Sequence, residues 1–211
     1  MPIDATPPII LDYAGVLVFA ATGALAAARR RYDLVTFAFF AAVTGIGGGT
    51  LRDLLIGAPV FWVKNSGYFA ASVLAAVAVW VVGFRAGLYR ALLWLDALGL
   101  AVYAVVGAAK ASAYGVPPLV CVVMGGLTAS FGGVIRDVLA GEPSVLLKRE
   151  ITISAALLAA ALFMALKLLG LNLWLAGLIG AAAGFVLRAG AIRWGWSLPA
   201  FRGDAPASDV L

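Results

Sequence analysis

The chain has 211 residues, of which 64% are hydrophobic and 12% charged, and its mean hydropathy is +1.06. A soluble domain carries roughly 45–50% apolar and about 25% charged residues, so the composition excludes a soluble globular protein. The formal charge of +5 is the excess expected from basic residues that flank membrane helices, and no nucleic-acid partner is predicted.

Hydropathy and turn residues predict an all-α integral membrane protein with seven transmembrane helices. In chain order the predicted helices cover residues 9–28, 34–56, 66–84, 92–111, 117–140, 150–169 and 172–193. The breaks between them carry turn chemistry, such as GAPVFWVKNSG at 57–67 and FRAGLYR at 84–90. The N-terminus lacks the positive start of a cleaved signal peptide, and the polar tail, 198–211, is expected to be disordered.

The distribution of lysine and arginine predicts the orientation of these helices. One side collects Arg29, Arg30, Arg31, Arg85, Arg90, Lys148, Arg149, Arg188, Arg193 and Arg202, whereas the other side has Lys64, Lys110 and Lys167. Cytoplasmic loops are enriched in basic residues. The sequence therefore predicts an N-terminus outside the cell and a C-terminus in the cytoplasm.

The chain contains an internal duplication with a constant shift of 84 residues. Residues 11–83 form repeat 1 and residues 95–167 form repeat 2, and the helix near 172–193 is left unpaired. Glycines, prolines and charges match between the copies, including Gly48-Gly49 with Gly132-Gly133 and Arg52-Asp53 with Arg136-Asp137. Because each copy has an odd number of predicted spans, the second copy must enter the membrane from the opposite face, which makes the copies an inverted repeat.

Both repeats carry glycines inside an apolar helix, in GIGGGTLRD and in FGGVIRD. Gly-interrupted helices at matching positions of an inverted repeat point to a transport path between the repeats. We expect Gly47, Gly48, Gly49, Gly132 and Gly133 to break or kink their helices, because glycine tolerates the dihedral angles that a break requires. The alternative is close helix packing, for which small residues are also suited.

Arg52, Asp53, Arg136 and Asp137 are charged residues within apolar segments. Such residues cost about 2.5–3.5 kcal/mol each at a helix centre and usually face a water-filled path or a partner, so we expect them on the path or at a gate. A structural ion pair is the alternative. Adjacent helical residues diverge by about 100°, so pairing of Arg52 with Asp53 is not expected.

Polar residues near the glycines are weaker candidates for the lining of a path. The hydroxyls of Thr44, Thr50, Thr128 and Ser130 flank the glycines and could supply oxygen ligands to a cation. They could equally bond to the backbone of their own helices. Lys110 ends the fourth predicted helix on the outer side, where it could reach the interface or guard an entrance.

The doubled Gly-Gly-x-x-Arg-Asp motif in a chain of seven predicted helices resembles the prokaryotic trimeric intracellular cation channels. Bacterial members of that family are also described as a putative glycine-transporter domain that occurs twice per chain. The resemblance covers about residues 9–193. It implies a homotrimer in a bacterial inner membrane, in contact with membrane lipids, with one pore per protomer between the repeats. The implied permeant ions are monovalent cations, K⁺ chiefly and Na⁺ secondarily, with no cofactor.

Two functions fit this architecture and the sequence leaves both open. A cation channel needs a continuous wet path with weak sites, and its arginines would have to be neutralised by neighbouring groups. A secondary transporter of a small zwitterion such as glycine needs an occluded site at the repeat interface. An enzyme is not expected, because the chain has no histidine, one cysteine and no metal-ligand cluster.

Overall fold

The computed structural model describes residues 9–83, 86–142 and 151–198. In these ranges the chain forms seven long helices and one short one. They are α1 (Ile9–Arg29), α2 (Leu34–Leu55), α3 (Phe61–Lys64), α4 (Gly67–Val82), α5 (Ala86–Ala113), α6 (Pro118–Leu139), α7 (Thr152–Leu168) and α8 (Leu173–Trp194). The all-helical prediction is confirmed.

Turn residues set most helix ends where the sequence predicts them. The Asp33 carboxylate accepts a hydrogen bond from the backbone N–H of Thr36 at 2.8 Å and so caps α2. Gly57 and Gly141 follow α2 and α6 at equivalent positions of the two repeats, with φ of +67° and +63°. Such left-handed backbone after a helix is accessible to glycine without strain.

Two expectations about local structure are wrong. The segment 57–67 contains the single helical turn α3, because Phe61 and Trp62 fold back against α2. Helix α5 begins at Ala86, within the segment expected to be a turn, and α4 ends before Gly83, which has a φ of +72°.

Several expectations concern residues outside the described ranges. They are those for the basic residues Arg85, Lys148, Arg149 and Arg202, for the N-terminal residues before Ile9 and for the tail beyond residue 198. They remain predictions.

The long helices pack as two three-helix units. Helices α1, α2 and α4 contact one another, and α5, α6 and α7 contact one another in the same pattern. Helix α8 packs on α7 and α5, and the units meet mainly where α2 packs on α6. The core is built from alanine with a few aromatic residues, which allows close approach of the helices.

Contacts between the units recur with the partners exchanged. A Cβ added at Gly15 would overlap the ring of Tyr103, while one at Gly99, 84 residues later, would lie 3.6 Å from the ring of Phe19. Phe19 and Tyr103 are themselves related by that shift and form an edge-to-face pair with centroids 5.5 Å apart. This exchange is the pattern that an approximate two-fold rotation between two similar units produces.

Helix length and apolarity fit a membrane protein. Within the described ranges, four stretches are long and apolar enough to cross a bilayer: Leu34–Leu55, Leu93–Ala113, Pro118–Leu139 and Leu173–Trp194. Helices α4 and α7 are apolar but shorter. A bilayer core of about 30 Å needs about 20 helical residues, so these four meet the requirement by length alone.

Candidate functional site

The glycine-rich segments of α2 and α6 are continuous α-helix. Helix α2 is uninterrupted through Gly47, Gly48 and Gly49, and α6 is uninterrupted through Gly132 and Gly133. None of these glycines has a positive φ. The backbone is therefore not broken at these positions, and a kink at the glycines stays a prediction. Close packing, the alternative, accounts for the glycines that lie at the contact of the two helices.

Helices α2 and α6 touch through two reciprocal glycine contacts. A Cβ added at Gly48 would overlap the backbone carbonyl oxygen of Thr128, and one at Gly132 would overlap that of Thr44. The two pairs run in opposite chain directions, so the helices cross antiparallel and their Arg-Asp pairs lie toward opposite ends of the crossing. Gly47 is less confined, since an added Cβ would lie 3.3 Å from Ile135 Cδ1.

A narrow cleft lies at this crossing. Its walls include the rings of Phe19 and Tyr103, Gly48, Gly132 and the two threonines Thr44 and Thr128. The cleft has no room for a water molecule. Five of the residues that the sequence assigns to a path therefore line one cleft, and that cleft is closed: Thr44, Gly48, Gly49, Thr128 and Gly132.

Arg52 and Asp53 form a buried ion pair at one end of the crossing. The Arg52 guanidinium reaches Asp53 Oδ1 through Nε at 2.9 Å and Nη2 at 2.8 Å. Asp53 is fully buried and Arg52 is 4% exposed. The expectation that Arg52 and Asp53 would not pair is wrong. The Arg52 side chain is long enough to fold back along the helix and reach the carboxylate of the next residue.

Lys110 from the second unit completes this charge cluster. Its Nζ lies 2.8 Å from Asp53 Oδ1 and 2.9 Å from Oδ2, and 6.0 Å from the centre of the Phe61 ring. The backbone N–H of Phe61 donates to Asp53 Oδ2 at 3.1 Å. One carboxylate thus holds two cations, which leaves the cluster with a formal charge of +1 when all three groups are ionised. The sequence predicts Lys110 near an entrance but not its partner.

Arg136 and Asp137 form the matching ion pair at the opposite end. Arg136 Nε and Nη2 contact Asp137 Oδ1 at 2.9 Å and 2.8 Å. Arg136 Nη1 also donates to the Thr22 hydroxyl at 3.1 Å, and the Arg136 side chain is 18% exposed, compared with 5% for that of Arg52. The position equivalent to Lys110 in repeat 1 is Ala26, so repeat 1 supplies no lysine at the matching position.

Two of the four candidate hydroxyls bond to their own helix. Thr50 Oγ1 donates to the carbonyl of Ile46 at 2.7 Å and accepts from Trp62 Nε1 at 2.9 Å. Thr128 Oγ1 donates to the carbonyl of Met124 at 2.6 Å. The buried oxygens of Thr44 and Ser130 have no hydrogen-bond partner among the described residues.

Sequence reasoning missed three residues of this site. Thr22 holds Arg136, Phe61 holds Asp53, and Trp62 holds Thr50. A signal was present for Thr22, a hydroxyl inside an otherwise apolar helix, but Phe61 binds through its backbone. The sequence carries no sign of such a contact.

The chain is similar to proteins of known family. It matches the family described as "Glycine transporter" twice, over residues 9–83 and 93–168. It is 35% identical over 204 residues to a UPF0126 membrane protein of Vibrio cholerae, covering 94% of this chain and 84% of that one. It is 36% identical over 198 residues to the UPF0126 inner membrane protein YadS of Escherichia coli, covering 92% and 96%.

Solved structures with the same fold are cation channels. The trimeric intracellular cation channel orthologue from Rhodobacter sphaeroides superposes with a TM-score of 0.85 at 47% identity, covering 89% of this chain and 98% of that one. A second structure of such a channel gives a TM-score of 0.83 at 30% identity, covering 94% and 99%. The chain therefore belongs to the prokaryotic trimeric intracellular cation channel family, whose bacterial members are also described as glycine transporters.

Proposed function

We propose that the chain is a homotrimeric channel for monovalent cations, K⁺ chiefly and Na⁺ secondarily, with one pore per protomer between α2 and α6. The observation that supports this proposal is the fully buried Asp53 toward one end of the α2–α6 crossing. A carboxylate inside an apolar segment usually faces an ion path or a partner. Its pairing with Arg52 removes the main objection to a cation path, because a neutralised arginine repels cations less.

The structure has the features of a closed channel. The cleft has no room for water, and the Lys110 ammonium occupies the position beside Asp53 that a permeating cation would take. Opening then requires two changes: separation of α2 and α6, with bending at the glycines as the proposed hinge, and withdrawal of Lys110 from Asp53. The more exposed Arg136–Asp137 pair forms the other mouth.

The proposal includes the arrangement in the membrane. Seven spans arranged as an inverted repeat plus α8 place the N-terminus outside and the C-terminus in the cytoplasm of a bacterium. The exchanged contacts between the units and the basic loop residues Arg29, Arg30 and Arg31 support this arrangement. The Rhodobacter sphaeroides relative is described as trimeric, and α5 and α8 are our candidates for contacts between protomers.

The test is ion flux through purified protein in planar bilayers with asymmetric KCl. We expect unitary currents that reverse near the K⁺ equilibrium potential. The matched measurement is glycine uptake by liposomes from the same preparation, because the family description names glycine transport. Saturable glycine uptake without unitary currents would refute the channel and support the transporter.

A further inference from the structure

The hydroxyl of Thr44 is buried without a hydrogen bond. Thr44 is 2% exposed, and its Oγ1 has no partner in the described part of the chain. Buried polar atoms are nearly always paired, and a helical threonine ordinarily donates to the carbonyl four residues earlier. An exception at this position therefore needs an explanation.

The equivalent threonine of the second repeat behaves normally. Thr128 lies 84 residues later, lines the same cleft and donates to the Met124 carbonyl at 2.6 Å. Residue type, helix position and burial are alike, so none of these explains the unpaired Thr44. The carbonyl four residues before Thr44, to which its hydroxyl would ordinarily donate, belongs to Phe40. That carbonyl oxygen packs so closely against Gly23 of α1 that a Cβ added at Gly23 would overlap it.

Thr44 also differs from the other polar side chains of the cleft. The Tyr103 hydroxyl donates to the backbone carbonyl of Asp12 at 2.6 Å, and the Thr128 hydroxyl donates to its own helix. Among the described lining residues, Thr44 is thus the one whose hydroxyl has neither its proton nor its lone pairs committed. Its Oγ1 lies against Gly23 of α1, where an added Cβ would come within 2.5 Å of it, while the backbone carbonyl of the same residue meets Gly132 at the contact of α2 and α6.

We propose that Thr44 is a specificity-determining residue of the path. Its hydroxyl oxygen contacts the permeating monovalent cation at the α2–α6 crossing and replaces part of the hydration shell. When the helices separate, the uncommitted oxygen turns toward the ion while its proton points to water or to the Phe40 carbonyl. This inference rests on the proposed channel function, and it assigns unequal roles to two threonines that the repeat makes equivalent.

The test compares Thr44→Val with Thr128→Val, a matched control that removes a hydroxyl already bound to its helix. Unitary K⁺ conductance and the K⁺/Na⁺ permeability ratio are measured for each in planar bilayers. The loss of one contact as strong as a typical net hydrogen bond changes an equilibrium or rate constant about fivefold. We therefore expect Thr44→Val to lower the unitary K⁺ conductance about fivefold and to alter the K⁺/Na⁺ permeability ratio. Thr44→Ser should stay within about twofold of wild type, and Thr128→Val should lower the conductance clearly less than Thr44→Val does.

Thermal unfolding provides a readout that is independent of current. Valine has nearly the shape of threonine, so replacing an unpaired hydroxyl should leave the Tm of Thr44→Val equal to or above that of wild type, whereas Thr128→Val should lower it. A Tm lowered as much by Thr44→Val as by Thr128→Val would mean that the Thr44 hydroxyl has a partner in the fold, and would overturn the proposal.

The outcomes separate the inference from the function on which it rests. Wild-type currents that are unchanged in Thr44→Val, or changed equally in Thr128→Val, overturn the role of Thr44 alone. A loss in Thr44→Ser as large as in Thr44→Val would assign the effect to packing and would also overturn it. Wild-type protein that carries no cation current overturns both proposals.

Discussion

Replacement of Asp53 by asparagine tests the charge cluster at one end of the crossing. Asparagine keeps the shape of the side chain and removes the charge that holds Arg52 and Lys110 together. The two cations then face each other in a site where Asp53 is fully buried. Asp137→Asn is the matched control, because it removes the equivalent carboxylate charge beside Arg136, whose side chain is partly exposed.

The expected magnitudes follow from burial. Removing one partner of a buried ion pair costs about 3–5 kcal/mol, and repulsion between Arg52 and Lys110 adds to that figure. The Arg136 side chain is 18% exposed and also donates to Thr22, so the loss in Asp137→Asn should be about 1–3 kcal/mol. In a chain of this length each kcal/mol shifts Tm by about 2–4 °C. We therefore expect Asp53→Asn to lower Tm by about 10 °C or more and Asp137→Asn by clearly less.

The assay is thermal unfolding in detergent, followed by the fluorescence of the six tryptophans. Lys110→Met in the Asp53→Asn background should recover part of the lost stability, because it removes one of the two facing cations. The coupling in this double-mutant cycle should fall within about 0.5–3 kcal/mol. Equal losses in Asp53→Asn and Asp137→Asn, or no recovery in the double variant, would refute the assigned cluster.

Three further predictions concern the α2–α6 contact, Lys110 and the cap of α2. Gly48→Ala should lower the free energy of unfolding by about 1–3 kcal/mol, because the added methyl group forces α2 away from the facing carbonyl, whereas Gly47→Ala should be tolerated. Thermal unfolding distinguishes the two variants. Equal losses of stability in both would contradict the reciprocal packing of α2 and α6. Lys110→Met should raise the open probability of the channel in planar bilayers, while Lys64→Met, at an exposed position, should not. An unchanged or lower open probability in Lys110→Met would contradict the proposal that the Lys110 ammonium blocks the position beside Asp53. The hydrogen bonds from Thr36 lower the pKa of Asp33 below 3.8, so the helix cap stabilises the fold above that pH and is lost on further acidification. Asp33→Ala should therefore reduce the fall of Tm with acidification in this pH range. An unchanged dependence of Tm on pH in Asp33→Ala would count against the cap.

The helices were largely predictable from the sequence because their ends are set by local chemistry. Asp33 caps α2, Pro118 begins α6, and Gly57 and Gly141 take left-handed backbone after their helices. The turn α3 was not predictable, because four residues are too few for a periodic pattern and Phe61 is held through its backbone N–H. The start of α5 at Ala86 was missed because Arg90 and Gly87 resemble turn chemistry.

The site was only partly predictable. The repeat identified which residues would converge, but glycine suits both a broken helix and a close crossing, and a single sequence does not choose between them. Lys110 and Asp53 are 57 residues apart, and nothing local connects them. The repeat did contain one indication. Lys110 in repeat 2 matches Ala26 in repeat 1, so the two copies differ by one charge at this position.

Thiol modification in open channels shows whether each protomer has one path between α2 and α6. Thr44→Cys would be prepared in a Cys121→Ala background and exposed to a positively charged thiol reagent during single-channel recording, with Leu74→Cys, 66% exposed on α4, as the control. The proposed path predicts that current through Thr44→Cys falls in three equal steps, one per protomer, and that Leu74→Cys is unaffected. Block in a single step, or block at Leu74 without block at Thr44, would contradict it.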